Sequence, residues 1–148
     1  MSPDGPSDQP GEDDQPPHAT TAVACDADLP LCLGVLRRGT GDPTYQVASD
    51  GAIWRGCLTP HGPGTVRVRR GGPVVEIAAW GDGAAWLVKQ GPAMIGAEDD
   101  SAGFAELIAD HRLLREAHRG HPGLRMIRTE TVSRRLGRPA VRAFIASR

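Results

Sequence analysis

The sequence predicts an α+β fold: an antiparallel sheet of two hairpins, covered on one side by two helices. Three observations carry this expectation. Apolar residues alternate with period two between Thr44 and Trp80, turn-forming Ser, Asp, Gly and Pro residues punctuate the alternation, and the spacing becomes helical after Trp80. At 148 residues and 39% hydrophobic content, the chain has length for one domain with a small core.

Residues 1–28 hold five prolines, seven acidic residues and no Lys or Arg. Such a stretch buries too little apolar surface to offset its ordering entropy, which predicts a disordered acidic tail over 1–28. Leu29 to Leu36 is a short apolar segment, followed by Arg37, Arg38 and turn residues through Pro43. Thr44–Ala48 alternates, Ser49-Asp50-Gly51 supplies a tight turn, and Ala52–Thr59 returns with Trp54 and Leu58 on one face and Ile53 and Cys57 on the other. Pro60, Gly62, Pro63 and Gly64 interrupt the pattern. Thr65–Arg70 then points Val66 and Val68 inward and Arg67 and Arg69 outward, and beyond Gly71-Gly72-Pro73 the residues Val75, Ile77 and Ala79 share a face, a second hairpin. Asp82 is placed to cap a short helix through Leu87 and Val88 that Gly91-Pro92 must end or kink. Ser101 is placed to cap a longer one in which Phe104, Leu107, Ile108, His111 and Leu114 keep helical spacing up to Gly120 and Pro122.

The formal net charge of -1 conceals a gradient. The chain is purely acidic up to Asp28 and mixed to His111. From Arg112 onward ten arginines face only Glu116 and Glu130. A basic block of that kind suits a phosphate-contacting surface, because neutralised phosphates release counterions; an arginine-favouring coding bias explains it equally well. Cys25, Cys32 and Cys57 are three in number and irregularly spaced, which suits free thiols in an intracellular protein. No apolar run has membrane-spanning length and no export pattern opens the chain, so a cytoplasmic location without membrane contact is expected.

Four segments in order carry a likeness to a known family. They are Gly34-Val-Leu-Arg-Arg-Gly-Thr-Gly-Asp-Pro-Thr44, Ala52-Ile-Trp-Arg55, Ala79-Trp-Gly-Asp-Gly-Ala-Ala-Trp86 and His121-Pro-Gly-Leu-Arg125. Together they resemble the N-terminal domain of bacterial DNA-3-methyladenine glycosylase II type proteins, in the helix-hairpin-helix DNA glycosylase superfamily. The resemblance implies a front domain similar to half of a TATA-binding-protein fold, packed in the parent enzyme beside a helical catalytic domain. That domain grips double-stranded DNA and extrudes an alkylated purine, and a carboxylate stabilises the positive sugar left by the departing base. It also implies no cofactor.

The chain departs from the family where the catalytic domain should begin. Thr131-Val132 is followed by Ser133-Arg134-Arg135-Leu136, Gly137 and Pro139, which interrupt a helix. A frameshift near Val132 accounts for this as a hypothesis; a neighbouring frame lacking helix-hairpin-helix sequence refutes it. No Asp lies between Arg128 and Arg148, so no catalytic residue is transferred. The expected layout is therefore a tail (1–28), a glycosylase-type domain (29–122) and a basic segment (123–148) that is the remnant of a catalytic domain. A separately encoded catalytic domain is a candidate partner. The alternative is a non-catalytic DNA-binding or protein-interaction module.

The DNA-phosphate candidates are Arg67, Arg69, Arg70, Arg125 and Arg128; for the strand arginines, ordinary edge protection competes with this role. Trp54, Trp80 and Trp86 suit base stacking, but core filling is favoured in a chain with so few large aromatics. Cys57 and His61, or His118 and His121, lack the further ligands of a metal site. Glu98, Asp99 and Asp100 sit where helix-dipole stabilisation competes with acid-base chemistry. Gly39-Thr-Gly41 and Gly81-Asp-Gly83 lack the context of a nucleotide loop and are turns.

Overall fold

The computed structural model describes residues 16–129. Residues 1–15 of the expected tail and the basic segment from residue 130, with the departure at Val132, lie outside the described residues.

The chain is α+β, with one five-stranded, wholly antiparallel sheet in the order β1-β5-β4-β3-β2. The strands are β1 (Ala19–Ala24), β2 (Tyr45–Val47), β3 (Ile53–Thr59), β4 (Gly62–Gly71) and β5 (Val74–Gly81). The helices are α1 (Leu29–Leu33), continued by a 3-10 turn at Gly34–Leu36, then α2 (Ala84–Met94), α3 (Phe104–Leu107) and α4 (Arg112–Gly120).

Both expected hairpins form. Asp50 accepts the Ala52 N–H at 3.0 Å, and Gly51 adopts φ +82°, a left-handed conformation that a side chain would strain. The two hairpins are also joined to each other, because β3 pairs with β4 from Ile53↔Val68 to Thr59↔Gly62. The Thr59 hydroxyl closes that connection by donating to the Gly62 carbonyl at 2.7 Å and accepting the His61 N–H at 3.1 Å.

Strand β1 corrects the expected tail. Ala19–Ala24 pairs residue for residue with β5, from Ala19↔Ala79 to Ala24↔Val74. An acidic, proline-rich flank hides a neutral run containing Thr20, Thr21 and Val23, whose stabilising partner lies fifty to sixty positions away. Asp28 belongs to the folded body too: its carboxylate caps α1 by accepting the Leu31 N–H at 3.0 Å.

One face of the sheet carries the core. Ile53, Cys57, Val66, Val68, Val75, Ile77 and Ala79 pack against Leu29 and Leu33 of α1 and Ala84, Leu87 and Met94 of α2. Burial of each large aliphatic side chain contributes about 1.5–3 kcal/mol. Helix α2 differs from expectation at both ends. Gly83, not Asp82, is its N-cap and no side chain caps it, while the helix runs through Gly91-Pro92 to Met94. Packing explains the continuation. A Cβ on Gly91 would stand 2.6 Å from Cδ1 of Ile77, so the glycine lets the helix lie close on the sheet, and a proline in the last turn forfeits only one helical hydrogen bond.

The long second helix is corrected to two short ones, α3 and α4, with His111 extended between them. Asp110 and His111 are both weak helix formers. Only Ile108 of the expected apolar stripe is buried; Phe104, Leu107, Leu113 and Leu114 are exposed. The sheet is therefore covered by α1 and α2, and α3 and α4 stand off it.

Candidate nucleic-acid interface

The face of the sheet opposite α1 and α2 holds an aromatic-cationic cluster. Register creates it: Trp54 lies opposite Arg67 across β3 and β4, and Thr65 lies opposite Trp80 across β4 and β5. Trp54 and Trp80 stack with centroids 5.2 Å apart and planes inclined by 25°. The Arg67 guanidinium sits 5.6 Å from the Trp54 ring centroid and 5.7 Å from that of Trp80, within cation-π range of both. Trp80 is buried and Trp54 partly so, yet both lie outside the apolar cluster under α1 and α2; of the three tryptophans only Trp86 packs against that cluster. Trp80 is thus buried as expected of a core residue, but against Trp54 on the other face of the sheet, and Trp54 is only half-buried there.

On the same face Arg69 lies opposite Glu76, and the guanidinium donates twice to one carboxylate oxygen, at 2.6 and 3.2 Å. That hydrogen bond and charge hold the Arg69 proton more tightly than usual. Both side chains remain substantially exposed, so the pair is a screened surface interaction.

The other candidate arginines lie elsewhere. Arg70 donates to the carbonyls of Cys25 and Ala27, tying the β1–α1 connector to the end of β4. Arg125 forms a two-pronged bond to Asp26, 2.9 Å to each oxygen, and donates to the carbonyls of Pro122 and Leu124. Arg128 is exposed and borders an open recess with Arg55, Cys57, Trp86, Gln90 and Met94. The five arginines do not converge on one patch. Arg67 and Arg69 share the open face, Arg70 and Arg125 are intramolecular clasps, and Arg128 stands apart.

The segment His121–Arg125 is bound to the fold. The Asp28 N–H donates to the Gly123 carbonyl at 2.8 Å, and the Arg125 N–H donates to Sγ of Cys32 at 3.2 Å. A Cβ on Gly123 would fall 2.7 Å from the Asp28 nitrogen. Downstream, Asp99 accepts the Met126 N–H at 2.9 Å, and Asp100 accepts the Ala102 N–H at 2.9 Å. These carboxylates thus bind loop backbone.

Sequence reading passed over Arg55 and Gln90, both polar and buried. The alternation that put Ile53 and Cys57 inward also put Arg55 inward, and that was the available signal. Among the described residues no group of three or more His, Cys, Asp or Glu is arranged to hold a metal, and no helix is long and apolar enough to cross a membrane. His118 instead packs edge-on against Phe104 with centroids 5.3 Å apart. Burial pushes the Cys32 and Cys57 thiols up, away from the reactive thiolate. Comparison with models of known protein families, with curated proteins and with solved structures finds no match to this chain.

Proposed function

We propose that this chain is the accessory front domain of a base-excision repair glycosylase of the DNA-3-methyladenine glycosylase II type, similar to half of a TATA-binding-protein fold. Its role is to dock beside a helical catalytic domain. The observation that carries this reading is the uncovered apolar flank of α3 and α4: Leu107 and Leu113 are 76% and 74% exposed, and Phe104 and Leu114 are also exposed. Apolar surface of this kind marks an interaction site more often than a free surface. In this reading, cleavage of the N-glycosidic bond of an alkylated purine belongs to the partner's carboxylate, and this chain positions DNA.

The test combines two measurements. The chain alone releases no methylated purine from alkylated DNA, and it binds a separately produced catalytic domain of this glycosylase type, with binding lost in Leu113→Glu/Leu114→Glu. Base release by the chain alone, or no association with the catalytic domain, refutes the reading.

The exposed arginines of α4 (Arg112, Arg115 and Arg119) favour a second reading, a DNA-binding module acting on phosphates. Its mark is salt-sensitive DNA binding that is lost in Arg112→Ala/Arg115→Ala/Arg119→Ala.

A further inference from the structure

The two edges of the sheet are unlike. Strand β2 offers three residues, is preceded by Asp42-Pro43 and turns away at Ser49-Asp50-Gly51. Strand β1 offers six residues, and among the described residues nothing pairs with its outer edge. Natural edges are blunted by charge, proline, bulges or shortness. Within Ala19–Ala24 there is no charged residue and no proline, and its register with β5 runs one to one without a bulge.

We propose that β1 is a self-association edge, on which a second copy of this chain pairs its own β1 antiparallel across a two-fold axis. Antiparallel partners point their side chains to the same face, so a symmetric pairing must match positions of like parity. With the axis at Ala22, Thr20 lies opposite Ala24 of the second copy and Ala22 lies opposite its own counterpart.

This register is complementary in backbone hydrogen bonding: the Cys25 N–H turns inward to the Pro73 carbonyl, so by alternation the backbone groups of Thr20, Ala22 and Ala24 turn to the outer edge, and Ala22 on the axis can exchange both bonds with its copy. A second copy brings an edge of the same length and the same outward backbone pattern. The product is a ten-stranded sheet with both Trp54–Arg67–Trp80 clusters on one side.

Sedimentation velocity over a concentration series tests the pairing on the full chain. The wild type passes from monomer to dimer. Ala22→Lys, at an exposed position, sets two ammonium groups against each other and stays monomeric with unchanged circular dichroism. Gln46→Lys on the opposite edge dimerises as before. Ala22→Cys oxidises to a dimer linked between the two introduced thiols, identified by peptide mapping. A wild type that stays monomeric at its highest soluble concentration overturns the proposal. So does a dimer that survives Ala22→Lys but dissociates in Leu113→Glu/Leu114→Glu.

Discussion

The sheet with α1 and α2 and the α3–α4 segment use apolar residues in opposite ways. In the first, Val75, Ile77 and Ala79 on β5 and Leu87 on α2 are almost fully buried. In the second, a well-spaced helical pattern buries Ile108 alone. Periodicity specifies which side of an element is apolar; whether anything covers that side depends on what the rest of the chain supplies. Here the apolar face of the sheet is taken by α1 and α2.

Four substitutions sharpen this contrast. The largest expected effect is Ile77→Ala, which opens a cavity at the sheet centre and costs about 2–5 kcal/mol in urea unfolding, whereas Leu113→Ala stays within about 0.5 kcal/mol. Equal losses at the two sites would mean that α4 is covered in solution, by another copy or by residues outside those described.

Next comes Gly123→Ala. The added methyl group must displace the Asp28 backbone, and as overpacking it should lower stability by about 1–3 kcal/mol. A neutral result would show that the His121–Arg125 clasp is loose.

Arg67→Ala removes the cation beside the stacked Trp54–Trp80 pair and should cost about 0.5–1 kcal/mol, with a change in tryptophan fluorescence. Unchanged fluorescence would place Arg67 away from Trp54 and Trp80 in solution.

The smallest effect concerns acid. Burial pushes the Asp42 carboxyl up, but the Thr44 hydroxyl and the backbone N–H groups of Arg38 and Thr44 outweigh it and hold the group below the usual carboxylate range. Its contribution to stability is therefore present above that range and disappears as pH falls through the lowered value. Melting temperature measured against pH should fall less steeply on the acid side in Asp42→Asn than in the wild type; parallel curves would contradict this.

Much of the sheet was legible locally. Ser49-Asp50-Gly51 and Gly71-Gly72-Pro73 announce their turns, and the alternation of Val66 and Val68 with Arg67 and Arg69 assigns faces correctly. Strand β1 was not legible, because its pairing is with distant β5 and its short run of Thr20, Thr21 and Val23 is embedded in acidic, proline-rich flanks. The arginine candidates divided for a similar reason. Nothing near Arg70 or Arg125 in the sequence announces that their partners are the Cys25 and Ala27 carbonyls and Asp26.

By itself the sequence determined the α+β class, the hairpin turns, the inward faces of β3, β4 and β5 and the acidic-to-basic gradient. These depend on backbone sterics and on apolar periodicity over a few neighbouring residues. Only the tertiary structure decided that Ala19–Ala24 is an edge strand, that Trp54 and Trp80 meet around Arg67 on the open face, and that α3 and α4 leave their apolar side uncovered. Each of these rests on contact between residues distant in the chain, and such contact is set by register and competition for one sheet face.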